Sequence, residues 1–254
     1  LKALSLLLAL FVGFLLIGVL DDLPAWGDAK SPANSYVSAY YLKNSMEQTH
    51  VPNVVTAVLA DYRGFDTMFE TGVVFVAVIG IMAILRRDPK EEDSETGDRP
   101  PHAPPEGFIL GVATRFIVPF MQMFALYVIA HGHHSPGGGF QGGVILGASL
   151  ILMAMTGELE SALDRMREKW FIVLVAGGFL LYAGVGLGCM FFGGNFLDYS
   201  ALAPLLGGDP KAAAIMARYH GMLWVEIGVA FTVMSSMFAI FAYLSSDGRM
   251  DRGL

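Results

Sequence analysis

The chain has 254 residues, 54% hydrophobic and 15% charged, and its apolar residues are gathered into bilayer-length runs rather than scattered as in a soluble core. The net charge of -7 comes largely from one linker, and no stretch is basic and aromatic enough to hold nucleic acid. The single cysteine, Cys189, excludes an intrachain disulfide and any cysteine-ligated metal or iron–sulfur site, so no cofactor is expected and redox chemistry would belong to another subunit.

A hydrocarbon layer about 30 Å thick is crossed by about 17 to 25 helical residues. In chain order, runs that fit lie at residues 3–20, 67–85, 108–130, 142–155, 171–192 and 222–244. The expected fold class is therefore all-α, a polytopic membrane protein of about six transmembrane helices. The first run follows Lys2 as a signal peptide would, but it is longer than a usual signal core. Asp21-Asp22-Leu23-Pro24 also offers no small-x-small cleavage site, so the run is expected to stay as a helix. The fourth run is short and Gly-rich, which suits close helix packing. With six spans and an inward N-terminus, ten Lys and Arg fall inside, five outside, and Arg115 within a span. That bias predicts both termini inside.

In the long first loop, Val54, Val55, Val58, Leu59 and Tyr62 recur at helical spacing, with Pro52 suited to a first turn. This predicts a helix that lies along the interface or re-enters the protein. Gly64 permits a break before the second span. Asp61, Arg63, Asp66 and Glu70 crowd that break, and the spacing of Asp66 and Glu70 puts both carboxylates on one helix face. An acid inside a span is costly unless it pairs, protonates or lines a wet cavity, so this cluster is a candidate ion path. Equally open is a structural pair of Arg63 with Asp61 or Asp66, leaving Glu70 to reach for the boundary.

From Asp88 to Pro105 the chain is acidic, Pro-rich and short of apolar residues, with nothing to bury. Residues 88–107 thus read as a linker between a two-span unit, 1–87, and a four-span unit, 108–254. After the third span comes His131-Gly-His133-His134-Ser-Pro136-Gly137-Gly138-Gly139-Phe140-Gln-Gly142-Gly143. Pro136 and the glycines predict a tight loop in which backbone packs near backbone. The three histidines lack an acidic or cysteine partner, so no metal site is expected. No Gly-Lys-Ser/Thr follows, which argues against a nucleotide loop. Glu158, Glu160 and Asp164, amid Arg165, Arg167 and Lys169, read as a solvated turn. Beyond a turn-rich loop at 193–210, residues 212–219 could form a short amphipathic helix. Glu226 then falls about one turn into the last span, either on an ion path or paired with Arg218 or His220.

Two of these stretches carry a family resemblance. Asp61-Tyr62-Arg63-Gly64-Phe65-Asp66-Thr67 with Glu70 resembles the Mbh-type C-terminal region of the large MnhA-type subunit of Mrp-type multisubunit Na+/H+ antiporters, over about residues 51–87. His133, Pro136, Gly137, Gly138, Gly139, Phe140, Gly142 and Gly143 match the first hairpin of the MnhB subunit of the same antiporters, a likeness that covers residues 108–156. It extends weakly to Trp224-Val-Glu226-Ile-Gly in the last span.

The resemblance implies a non-enzymatic membrane subunit of a multisubunit cation/proton antiporter, or of an Mrp-derived ion-pumping arm of a hydrogenase-type respiratory complex. Its partners would be other membrane subunits, antiporter-like ones among them, with redox subunits in the second case. Its place would be the prokaryotic inner membrane. Joined to the topology, it predicts that Asp66, Glu70, His131, His133 and Glu226 converge near the outer face and line a polar route. The alternative is a non-conducting scaffold that packs helices between antiporter-like subunits.

Overall fold

The computed structural model describes residues 2–20, 22–85, 108–156 and 168–246. The linker expected at 88–107 and the charged turn from Glu158 to Arg167 lie outside the described residues. Two compact units divide the chain, Leu1–Asn44 and Ser45–Leu254. In the first, α1 (Lys2–Leu20) is built almost wholly from Leu, Ala, Phe, Val and Ile and is exposed along nearly its whole length. A helix apolar on every side satisfies its backbone internally and presents hydrocarbon all round, as a lipid-facing helix must. A π-helical turn (Ala33–Val37) leads into α2 (Ser38–Thr49), where Tyr36 stacks on Tyr40 at 6.1 Å.

The second unit opens with the end of α2 and a short helix, α3 (Val54–Thr56), which runs on as a π-helix (Ala57–Tyr62). There follow α4 (Gly64–Leu85), α5 (Phe108–Ala130), α6 (Gly139–Thr156), α7 (Glu168–Phe191), a 3-10 turn (Tyr199–Leu205) and α8 (Pro210–Ser245). Together with α1, the helices α4 to α8 give six that are long and apolar enough to cross a membrane. The spans expected at 67–85, 142–155 and 171–192 each start about three residues earlier than the apolar run, because their first turns are Gly, Asp or Glu rich.

The largest departure from expectation is at the end of the chain. The amphipathic helix expected at 212–219 and the span expected at 222–244 are one helix of 36 residues, about 54 Å long. Asp209 caps it, accepting a hydrogen bond from the Ala212 amide at 3.0 Å, and Pro210 sits where a missing N–H costs nothing. Gly221, which could have broken the helix, instead makes room for the Tyr199 ring, which a Cβ there would overlap.

The central helix is α8, with α4, α6 and α7 packed against it and α5 against α6. Close approach is achieved by omitting side chains. Gly139, Gly143 and Gly147, four residues apart, lay one stripe of α6 against Glu226, Ala230 and Met234 of α8. Gly178 of α7 and Gly228 of α8 face one another at a second crossing, and Thr232 donates its hydroxyl to the Val175 carbonyl at 3.1 Å. Toward the other end of α8, Phe171 meets Phe238 edge-on at 5.5 Å amid Val78, Met82, Ala239 and Tyr243.

Candidate functional site: a buried carboxyl under a glycine loop

Three connections gather at one end of the second unit: residues 50–63, 131–138 and 192–209. Their backbone groups are satisfied across the gaps between them. Around the helix break before α4, three carbonyls take side-chain donors. Thr67 donates to the Leu59 carbonyl at 2.7 Å, Tyr199 to Ala60 at 2.7 Å and Tyr182 to Gly64 at 2.8 Å. Asn53 caps α3, accepting from the Val55 amide at 3.0 Å, so Pro52 lies just before the cap rather than in the first turn. The Asn53 amide also donates to the carbonyls of Gly132 at 2.7 Å and Ser135 at 2.8 Å, and its own N–H to that of His133 at 3.1 Å. One residue thereby fastens α3 to the glycine loop.

Beneath that loop lies Glu226, only 8% exposed. Its carboxyl group is surrounded by backbone: a Cβ at Gly132 would come within 3.0 Å of Oε2, and one at Gly138 within 3.0 Å of Oε1. Gly138 has φ +139°, a conformation that L side chains rarely adopt, and so turns the chain into α6 without adding bulk. Oε2 is buried with no hydrogen-bond partner. Beside it is a cavity of about 40 Å³, lined by Thr56, Thr67, Gly137 to Gly139, Gln141, Tyr182 and Glu226 among others.

Two further groups surround this site. Arg218 of α8 pairs with Asp61 at 3.1 Å, lies 4.0 Å from Asp198 and donates to the Gln48 carbonyl at 2.8 Å. Burial pushes the Asp61 carboxyl above its usual range; Arg218 opposes the shift and Asp198 adds to it. His133 is fully buried and stacks on Tyr219 at 4.3 Å, and neither ring nitrogen has a hydrogen-bond partner. Burial, with His134 and His220 nearby, lowers its pKa to about 4, so the ring is neutral at ordinary pH.

Of the seven residues expected on an ion path, Glu226 alone lines the cavity. His133 and Asp61 are packed inside the same end of the unit, Asp61 held by Arg218. Asp66, Glu70 and His131 are exposed on the surface of the chain; Arg63 and Asp66 form an ion pair there, and His131 stacks on Tyr127 at 4.5 Å. The five acids and histidines expected to converge therefore split into a buried pair, His133 and Glu226, and an exposed set. Arg218 serves Asp61 and not Glu226. Gly139, Phe140, Gly142 and Gly143, expected in the loop with Pro136, Gly137 and Gly138, form the first turns of α6, since their omitted or outward side chains let that helix pack closely. Gly64 likewise begins α4, under the Tyr182 hydroxyl and Leu197. Sequence reasoning missed Asn53, Thr56, Thr67, Tyr182, Tyr199 and Asp198. Asn53 carried a signal, as a capping residue ahead of Val54-Val55-Thr56, and Thr67 stood in the Asp61–Thr67 motif without a role of its own. Among the described residues no group of three His, Cys, Asp or Glu could hold a metal ion.

A bundle of long apolar helices with a carboxyl kept inside it defines a polytopic helical membrane protein with a polar interior site. Residues 109–239, just over half the chain, match the family described as "Domain related to MnhB subunit of Na+/H+ antiporter", and the chain belongs to that family. Residues 5–99 match MbhE, the E-type component of MBH. The chain is 30% identical over 209 residues to a probable K(+)/H(+) antiporter protein of combined A/B type from Rhizobium meliloti (strain 1021), covering 73% of this chain but only 20% of that protein. It is 30% identical to the B-type component of the Na(+)/H(+) antiporter of Bacillus subtilis (strain 168), across 51% of this chain and 91% of the relative. Among solved structures, a chain of the membrane-bound sulfane sulfur reductase, an archaeal respiratory membrane complex, superposes with TM-score 0.65 at 25% identity, covering 96% of this chain and 97% of the other. A chain of the Mrp complex from Dietzia sp. DQ12-45-1b gives TM-score 0.67 at 26% identity, covering 98% of this chain and 27% of that one.

Proposed function

We propose that this chain is a membrane subunit of a multisubunit cation/proton antiporter, or of the ion-pumping membrane arm of a respiratory redox complex, and that it contributes a segment of the ion path through Glu226. Family membership supports the first part, and relatives of both assembly types support its breadth. The observation that carries the second part is the Glu226 carboxyl itself, held inside an apolar helix with one oxygen unpartnered beside a cavity. Leaving an acid there costs roughly 3 kcal/mol by membrane insertion scales, a penalty that a purely structural position has no reason to keep. The subunit does no redox chemistry of its own in this reading. It works in a prokaryotic inner membrane with both termini inside, among antiporter-like neighbours. Asp66 and Glu70, exposed on the single chain, face those neighbours and not lipid. The linker at 88–107 joins the two modules.

The test has two arms. Proteins that co-purify with the tagged chain identify the assembly: antiporter subunits alone, or iron–sulfur subunits with them. Glu226→Gln then keeps size and removes charge. With assembly intact, it is expected to lower cation-driven proton exchange in inverted membrane vesicles by about tenfold or more, in keeping with the weight of positioned proton-transfer groups. Normal transport would leave the chain as a non-conducting scaffold.

A further inference from the structure

Within the third span, two polar demands fall on one face of a helix. Arg115 lies seven residues past Phe108, the first residue of α5, or about 10 Å along a helix of 23 residues. Its side chain is exposed, and among the described residues no acid pairs with it. Pro119 follows four residues later and is exposed too. A proline has no N–H, so the Arg115 carbonyl lacks the donor that any other residue at 119 would supply. A charged donor and a carbonyl short of its helical donor thus belong to one residue, where hydrocarbon satisfies neither. The inner face of α5 keeps Thr114, Val118, Ala125, Val128 and Ile129 buried, packed chiefly toward α6. On the other side Val112, Phe116, Phe120, Met123 and Leu126 are all exposed, and Arg115 and Pro119 lie among them. A Cβ on Gly111 would meet nothing within 4 Å, so the place one turn before Arg115 is open as well.

We propose that this face of α5 is the docking surface for a transmembrane helix of a neighbouring subunit, and that the docked helix brings an Asp or Glu to Arg115. The inference rests on the reading of the chain as one subunit among membrane neighbours, and it gives one of them a place and a chemistry. Charge selects the occupant. An arginine inside a span pairs with a carboxylate or reaches for the headgroups, and a carboxylate takes both arms of the guanidinium fork. A lipid phosphate answers the guanidinium alone, since it has no proton to give the Arg115 carbonyl. A protein helix supplies both the acid and a hydroxyl or amide donor. Gly111 leaves that helix room to approach closely.

Photocrosslinking in native membranes tests the interface. A photoreactive diazirine amino acid is placed at Val112 of the full chain, expressed with the rest of its complex. Irradiation is expected to join it to one other integral membrane protein, with an Asp or Glu within about four residues, one helical turn, of the crosslinked position. Arg115→Gln, compared at an equal amount of chain in the membrane, should lower that yield by about tenfold or more, as loss of one member of a buried charge pair does. Lipid adducts alone at Val112, or an attached segment with no nearby acid, overturn the proposal; if the other subunits still co-purify, the subunit reading stands without it. An unchanged yield from Arg115→Gln overturns the pairing. If that variant fails to accumulate, Gly111→Leu, which fills the open place and keeps the charge, decides instead, and an undiminished yield sinks the interface.

Discussion

At the residue scale, the end of the bundle is governed by two groups that are buried for different reasons. His133 is shut in as a neutral ring, with its pKa at about 4 against about 6.5 in an unfolded chain. Because the unfolded state binds the proton more readily, stability is full above about pH 6.5 and falls as pH drops toward 4, by up to about 3 kcal/mol from this group alone. Thermal unfolding of the complex between pH 7 and 4 should therefore show an acid-side loss that His133→Phe flattens; an identical slope in the variant would show the loss arises elsewhere. Asp61 is buried with a charge and depends on Arg218 for it. Removing only the cation, as in Arg218→Gln, strands a carboxylate and should cost about 2–3 kcal/mol, more than Asp61→Asn costs. The double variant should recover part of that loss, and additive effects in the cycle would contradict a direct pairing.

At the scale of elements, the bundle is held by absent side chains, which explains both what was legible in the sequence and what was not. Hydropathy located the six long helices found among the described residues, because their apolar runs approach or reach the length that crosses a lipid core, the short fourth run being completed by the Gly-rich first turn of α6. It could not show that residues 212–219 continue into the last span, since Gly221 reads as a breaker until Tyr199 is seen lying against it. It also could not divide the glycines of 137–143 between loop and helix, because a glycine spared a Cβ clash and a glycine that turns the chain look alike in one dimension. The distinction is testable. A Cβ on Gly139 would overlap the Glu226 carbonyl, whereas one on Gly177 meets nothing within 4 Å. Gly139→Ala should separate α6 from α8 and abolish assembly, or cost about 3 kcal/mol or more if it folds, while Gly177→Ala should be neutral or slightly stabilising. Equal thermal stability of the two variants would show that the crossing has room to spare.

For the molecule as a whole, the acids in the sequence announced a polar site but not its membership. Asp66 and Glu70 share a helix face as their spacing implies, yet that face is the outside of the chain, and Glu226 is joined instead by Thr67 and Tyr182, whose types carry no such signal. The charge bias of the loops predicts the side of the membrane on which this site opens. Ser135 and Ser200, on two of the connections gathered at one end, are expected outside, and buried Cys189 contributes little background to thiol labelling. Ser135→Cys and Ser200→Cys should react with an impermeant maleimide in intact cells; reaction only in inverted vesicles would reverse the orientation. One uninterrupted helix, α8, carries both Arg218 and Glu226, eight residues or about 12 Å apart along its axis. Like two cams on a single shaft, they cannot be turned separately: any twist that lifts Arg218 away from Asp61 swings the deeper carboxylate through the same angle.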